Sequence, residues 1–215
     1  MSTPARTRTL LIVLAYTTGL LALTLADHWL WQHLRVANKQ WLEGRDWYQF
    51  LRALGYLPTW LFIGAAFLLH DSRSSDLHTR LRGLLIALSA ALGGGAAELV
   101  KITTHRLRPG ETGEYLFAHF LSDLTDPGAD KLRQLGFGLA SSHAGVAFGG
   151  AFMLIRLFPR TAPAAITLAT GCALSRLLAG AHFATDVYVG AGMSYAVAAA
   201  IWHFRLRTLN SGLRT

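Results

Sequence analysis

Long apolar runs alternate with short polar stretches along most of the chain. Six runs are each near the ~20 residues that a helix needs to cross a bilayer. They lie at 10–26, 54–70, 84–104, 142–158, 162–178 and 183–204. The pattern therefore predicts an all-α, polytopic membrane protein with six transmembrane helices, arranged as a single domain over residues 1–215.

The first apolar run has a competing interpretation as a cleaved signal peptide. Arg6 and Arg8 precede the run, and the small residue Ala26 ends it. The pattern around that end is a poor match to a cleavage site, which favours a retained helix. Retention also gives the chain an even number of spans.

The stretch between the first and second runs is polar and rich in tryptophan. It contains Trp29, Trp31, Trp41 and Trp47, with apolar residues at helical spacing between them. Tryptophan favours the headgroup depth of a bilayer, so we expect interfacial amphipathic helices here. An ordinary amphipathic connector packed on the helical bundle is the alternative.

Composition supports the membrane class. Hydrophobic residues make up 52% of the 215 residues and charged residues only 15%, with a mean hydropathy of +0.34. The net charge is +8, but the basic residues are dispersed among apolar runs, so no nucleic-acid partner is expected. Anionic lipid headgroups and the bilayer are the expected partners. The single cysteine, Cys172, lies in an apolar run and is expected to be a small packing residue.

One stretch near the last predicted span combines a histidine, an aspartate and an arginine. His182 and Asp186 are four residues apart, which places both on one face of a helix that begins near His182. A carboxylate in this position fixes the tautomer of the imidazole and prepares it as a nucleophile or base. A chain break at Gly180 would fold Arg176 back beside the ring.

Two further basic residues precede this stretch. Lys101 and Arg108 are seven residues apart, so we expect both to project from one helix face just before Pro109 and Gly110 end that helix. Together with Arg176 they provide three cations without an obligatory anion.

A pair of serines stands at the start of the fourth apolar run. Ser141 and Ser142 directly precede His143. Hydroxyls and free N–H groups at a helix start form a ready anion site. Three cations, this helix start and two histidines together indicate that a phosphate group is bound and transferred.

These residues form a pattern of three blocks in a fixed order. The blocks are Lys101 with Arg108-Pro109 after six residues, then Ser141-Ser142-His143, then Ser175-Arg176 with His182 after five residues and Asp186 after three more. The pattern resembles the three-part signature of the type 2 phosphatidic acid phosphatase family, which shares its site with vanadium haloperoxidases. The second block departs from the usual Pro-Ser-Gly-His, since Ala140 replaces the proline and Ser142 the glycine.

The resemblance implies a role for each matched position. It implies His182 as the nucleophile, Asp186 as the group that aligns it, and His143 as the general acid and base. It implies phosphate binding by the remaining matched residues, Lys101, Arg108, Arg176 and Ser141. Ser142, which stands in place of the family's glycine, is expected to bind phosphate beside them. No cofactor or metal is expected. A metal site built from His143, His182 and Asp186 is the alternative, disfavoured because three nearby cations would repel a metal ion.

The expected function is hydrolysis of the terminal phosphate or pyrophosphate of a membrane lipid. Candidate substrates are undecaprenyl pyrophosphate, phosphatidate, phosphatidylglycerophosphate and a lipid A phosphate. A lipid phosphotransferase with the same covalent intermediate remains an alternative. A non-catalytic transporter or scaffold, whose charged residues line a pathway, is another.

The six predicted spans also make a prediction about topology. They place the end of span three, the start of span four and the junction of spans five and six on one membrane face, where all three blocks fall. Once the three site cations and the interfacial stretch are set aside, the basic excess lies on the opposite face. We therefore expect cytoplasmic termini in a bacterial inner (plasma) membrane, with the site facing the periplasm or outer surface. The polar loop 109–136 is expected to shape its entrance.

Overall fold

The computed structural model describes residues 3–118 and 136–212, and helices account for most of them. The helices are α1 (Thr3–Leu34), α2 (Lys39–Glu43), α3 (Asp46–Ala53), α4 (Leu57–Asp71), α5 (Leu77–Arg80), α6 (Arg82–Thr104), α7 (Ser142–Leu157), α8 (Ala162–Leu178) and α9 (Ala184–Gly212). A 3₁₀ turn over Pro159–Thr161 joins α7 to α8. Pairing of extended backbone within the described ranges is limited to two isolated bridges, Arg106 with Phe117 and Leu107 with Phe137. The all-α prediction is confirmed.

Several helices are suited to a bilayer. Four are long and apolar enough to cross it: Thr9–Leu34, Leu77–Thr104, Pro159–Leu178 and Ala184–Arg205. Helices α3 and α4, bent by 67° at their junction, would supply a fifth as one broken span. The predicted fourth span corresponds to α7, which is apolar but only 16 residues long. The membrane-protein prediction is confirmed, whereas the number six remains a prediction.

The predicted interfacial stretch divides among three helices. Helix α1 continues to Leu34 and therefore includes the first two tryptophans, while α2 and α3 hold the other two. The bend after α3 is stabilised by side chains of α4: Thr59 Oγ1 donates to the carbonyl of Ala53 and Trp60 Nε1 to that of Leu54, each at 2.7 Å. Placement of these helices at the membrane surface stays a prediction.

Small residues bring α6, α7 and α9 into close contact. A Cβ added to Gly93 would lie 2.6 Å from the carbonyl oxygen of Gly145, and one added to Gly145 would lie 2.7 Å from that of Gly93. Ser89 Oγ donates to the Gly149 carbonyl and Ser194 Oγ to the Gly145 carbonyl, both at 2.7 Å. These contacts set the start of α7 beside the end of α6, as close small-residue helix packing allows.

The end of α6 differs from the sequence prediction. The helix stops at Thr104, and His105 follows in the left-handed region with φ of 50°. The N–H groups of Leu107 and Arg108 donate to the carbonyls of Leu116 and Gly136 at 2.8 and 3.0 Å. The prediction that Lys101 and Arg108 project from one helix is therefore wrong. Pro109 disfavours helical backbone in the residue before it, and loop carbonyls satisfy the freed N–H groups instead. Most of the predicted entrance loop lies outside the described residues.

Candidate active site

The pairing of His182 with Asp186 occurs at the start of α9. His182 Nδ1 lies 3.3 Å from Asp186 Oδ2. The helix begins at Ala184, two residues later than predicted, so the ring approaches from the preceding turn. The same Oδ2 accepts a 2.9 Å hydrogen bond from the N–H of Phe183, which is half of a capping box. Because Asp186 engages Nδ1, the Nε2 atom of His182 is left for a substrate.

Burial controls the charge of His182, whose side chain is only 1% exposed. Burial lowers the pKa of His182 below that of an ordinary histidine, while Asp186 raises it and Arg176 and Arg108 lower it. Burial is the largest of these influences. The neutral ring, which is the nucleophilic form, is therefore favoured near pH 7.

The other oxygen of Asp186 is held by an arginine that the sequence interpretation missed. Arg106 is buried, and its Nη2 donates to Asp186 Oδ1 and, at 2.8 Å, to Thr185 Oγ1. The Arg106 guanidinium also lies 4.8 Å from the ring centroid of Tyr115. Its sequence signal was weak, because Arg106 stands only two residues before the better-matched Arg108.

Asp27 extends this polar network into α1. The side chain is 0% exposed, and its Oδ1 accepts from the N–H of Thr185 at 3.0 Å. Its Oδ2 accepts from Thr185 Oγ1 and, at 2.7 Å, from the Tyr115 hydroxyl. Burial and the hydrogen bond to Asp27 raise the pKa of Tyr115 to about 12. A lone carboxylate within a long apolar helix was the available signal for Asp27.

The start of α7 links the second block to the third. Ser141 is the N-cap of α7, and its hydroxyl accepts from the N–H of Ala144. The N–H of Ser141 donates to the Asp186 carbonyl at 2.9 Å. The hydroxyl that was expected to bind phosphate thus also caps its own helix.

Ser142 links the second block to the first. Its Oγ accepts a 2.9 Å hydrogen bond from Lys101 Nζ, which also donates to Glu98 Oε1 at 2.7 Å. Ser142, one of the two residues that depart from the family pattern, is therefore in direct contact with the lysine of the first block.

His143 and two arginines present unused hydrogen-bonding atoms. His143 Nε2 is buried without a hydrogen-bond partner, and so are the Nε atoms of Arg108 and Arg176. Both arginines are close enough to His143 and to His182 for their charges to interact with the rings. The chain reversal expected after Arg176 occurs at Gly180, whose φ is +62°. Buried polar atoms without partners are rare, and here they surround two histidines.

No group of three or more His, Cys, Asp or Glu side chains suited to a metal ion occurs within residues 3–118 and 136–212. The structure places Arg108 and Arg176 near both His143 and His182. Lys101 is hydrogen-bonded to Ser142, which precedes His143, and the N–H of Ser141 to the carbonyl of Asp186.

Comparison with known proteins identifies the fold and the family of this chain. The fold is similar to a solved structure described as the first transmembrane PAP2 type phosphatidylglycerolphosphate phosphatase from Bacillus subtilis. The TM-score is 0.60 at 19% sequence identity, over 90% of this chain and 96% of that one. A search of curated proteins gave no match. The sequence model of the PAP2 superfamily matches residues 82–209, which include all three blocks. The chain therefore belongs to the PAP2 superfamily.

Proposed function

We propose that this chain is a membrane lipid phosphatase that removes the terminal phosphate of a lipid phosphate or diphosphate through a phosphohistidine intermediate. The observation that carries the proposal is the buried pair of His182 and Asp186, joined at 3.3 Å, beside His143 and two arginines with unpartnered nitrogens. Family membership and the transmembrane phosphatase fold support this assignment.

The first step forms a bond between His182 Nε2 and phosphorus. The bond from phosphorus to the leaving oxygen breaks, and its electron pair goes to that oxygen, which takes a proton from His143. Asp186 holds the Nδ1–H of His182 and stabilises the imidazolium character that develops on attack. Arg108, Arg176 and Lys101 stabilise the charge on the phosphoryl oxygens.

The second step returns the enzyme to its starting state. His143, now neutral, accepts a proton from a water molecule that attacks phosphorus, and the bond to His182 Nε2 breaks. Inorganic phosphate leaves. The buried and unpartnered His143 Nε2 is the atom available for both proton transfers.

We also propose the location of the reaction. The protein is an integral membrane protein of a bacterial inner membrane, with cytoplasmic termini and the site facing the periplasm or outer surface. The apolar helices and the similarity of the fold to a transmembrane phosphatase support the membrane part of this proposal.

Phosphate release by purified protein tests the function. The protein in detergent is assayed against a panel containing a phosphatidate, a phosphatidylglycerophosphate, an isoprenyl diphosphate and a lipid A phosphate. We expect free phosphate from at least one substrate, and loss of release in the folded His182→Ala variant. His203→Ala is the matched control, because His203 is an exposed histidine on the same helix.

Two outcomes would contradict the proposal. A folded protein that releases no phosphate from any panel member fits a transporter or scaffold. Transfer of phosphate to a lipid acceptor without free phosphate fits a phosphotransferase.

A further inference from the structure

Helix α3 contributes a tyrosine and an arginine that lie outside the three sequence blocks. Tyr48 is 0% exposed, yet its hydroxyl has no hydrogen-bond partner. Arg52, one helical turn later on the same face, has a buried Nε atom that also lacks a partner. Burying such groups without partners is costly, so their joint occurrence indicates a surface that faces a ligand.

The bend after α3 places Arg52 on the His143 side of the site. A Cβ added to Gly55 would lie 2.7 Å from His143 Cβ, so this bend packs directly on that histidine. The Tyr56 ring meets the His143 ring edge-on at 5.1 Å between centroids. The Arg52 guanidinium lies 5.7 Å from the centroid of the same Tyr56 ring.

Helix α3 is also held against α8, the helix that carries Arg176. Leu51 of α3 packs against Gly171 of α8, where an added Cβ would lie 2.6 Å from Leu51 Cδ2. The Tyr48 hydroxyl and the Arg52 guanidinium both interact electrostatically with Arg176, and Arg52 also interacts with His143. Tyr48 and Arg52 therefore face the same space as the predicted phosphate-binding residues.

The space between these residues contains more positive charge than one phosphate group neutralises. Lys101 is paired with Glu98, and Arg106 with Asp186. Arg52, Arg108 and Arg176 form no salt bridge within the part of the chain that the structure describes, and each has an unpartnered Nε. A phosphate monoester carries a charge of about −1.5 to −2 near pH 7, which leaves one of three cations unmatched. A diphosphate carries more negative charge and matches the set better.

We propose that Tyr48 and Arg52 form a second anion subsite, which holds the second phosphoryl group of a lipid diphosphate while the terminal group lies on His182. This proposal rests on the proposed phosphatase function. The subsite lies beside His143, which faces the leaving oxygen. When His182 attacks the terminal phosphorus, the bond to the bridging oxygen breaks and its electron pair goes to the lipid-linked phosphate. Arg52 stabilises the charge that this leaving phosphate gains.

Binding of inorganic pyrophosphate, compared with inorganic phosphate, tests the subsite without turnover. We expect the purified protein to bind pyrophosphate more tightly than phosphate. Arg52→Gln should weaken pyrophosphate binding roughly ten- to hundredfold, the size of a lost charged hydrogen bond, with little change for phosphate. Tyr48→Phe, which removes only the hydroxyl, should weaken it severalfold, and Arg52→Lys should retain part of the affinity. Arg45→Gln is the control, because Arg45 is exposed at the start of the same helix.

The two proposals are separated by measuring kcat/KM for an isoprenyl monophosphate and an isoprenyl diphosphate that have identical isoprenyl chains. Arg52→Gln should lower kcat/KM for the diphosphate and spare the monophosphate. Equal loss on both substrates, or an unchanged affinity of Arg52→Gln for pyrophosphate, overturns the subsite while the phosphatase function stands. Absence of phosphate release from every lipid, with pyrophosphate binding still dependent on Arg52, removes the function and leaves the anion subsite in place.

Discussion

At the scale of single residues, the site is defined by which polar atoms have partners. Asp186 uses both carboxylate oxygens, one for Arg106 and the other for His182 and Phe183. In contrast, His143 Nε2 and the Nε atoms of Arg108 and Arg176 have no hydrogen-bond partner. The first group is fixed in position before a substrate arrives, and the second is available to bind it. This division is the preorganisation that electrostatic catalysis requires.

Replacing Asp186 by Asn tests how the nucleophile is prepared. Asn cannot hold the Nδ1–H tautomer as a carboxylate does, so we expect kcat to fall about 10²- to 10⁴-fold. Asp186 raises the pKa of His182, so its loss lowers that pKa further. Reactive neutral imidazole then persists to lower pH. The acid limb of kcat/KM against pH should therefore move to lower pH, and a limb that moves upward or stays in place would contradict this role.

Ser142 is the second residue-scale test. Its hydroxyl accepts a 2.9 Å hydrogen bond from Lys101 Nζ, so this ammonium group is bound to a protein atom that competes with the phosphate of a substrate. Ser142→Gly removes this competing partner, and we expect phosphate release that is unchanged or increased by up to about tenfold. Ser142→Ala is the matched control, because it removes the hydroxyl but keeps the Cβ. A collapse of activity in both variants would show that the hydroxyl itself takes part in the reaction.

At the scale of elements, two sets of contacts between helices hold the site together. One is the polar network that joins α1 to the start of α9 through Asp27 and Thr185. The other is the close contact of α6 with α7 at Gly93 and Gly145. The first fixes the turn that carries His182, and the second fixes the helix start that carries His143.

Asp27→Asn tests the network between α1 and α9. Hydrogen bonds to a charged group are worth about 1.5–3 kcal/mol each, so weakening those from Thr185 and Tyr115 should lower the Tm by several degrees. Asp27 contacts Thr185 rather than His182, so we expect kcat to fall with little change in KM. Thr24→Ala on the same helix is the control, since the Thr24 hydroxyl bonds only to Leu20 of its own helix. Wild-type Tm and kcat in Asp27→Asn would show that the network is dispensable.

Gly93→Ala and Gly95→Ala form a matched pair within α6. The first would place a Cβ 2.6 Å from the Gly145 carbonyl oxygen and 2.8 Å from Ser194 Oγ, so α6 and α7 must separate. We expect a loss of roughly 1–3 kcal/mol in stability, measured by thermal unfolding in detergent. Gly95 faces nothing within 4 Å, and alanine there should be neutral or stabilising by up to ~1 kcal/mol. Similar stabilities for the two variants would argue against a tight helix contact.

At the scale of the whole molecule, the sequence predicted the class and the convergence of the site but not its local construction. Apolar runs predicted where most helices lie, because length and hydropathy are sufficient signals for membrane helices. The spacing of His182, Asp186 and Arg176 predicted their association. The end of α6 before Arg108 was missed, since loop partners that are distant in sequence determine it. Asp27 and Arg106 were missed because the side chains that they contact are distant in sequence and meet them only after folding. Tyr48 and Arg52 were missed because only the packing of α3 and of the bend after it brings them near His143 and Arg176.

Transfer of the phosphoryl group to His182 is the central claim, and capture of the phosphoenzyme tests it most directly. Purified protein is mixed with a lipid phosphate labelled with ³²P in the terminal group, quenched rapidly and assayed for protein-bound label. We predict label that is labile in acid and stable in alkali, as a phosphohistidine is. It should be absent in His182→Ala. In His143→Ala it should form more slowly, because the leaving oxygen receives no proton, and decay more slowly, because the attack of water is also slowed. Label of wild-type amount in His182→Ala would contradict the account.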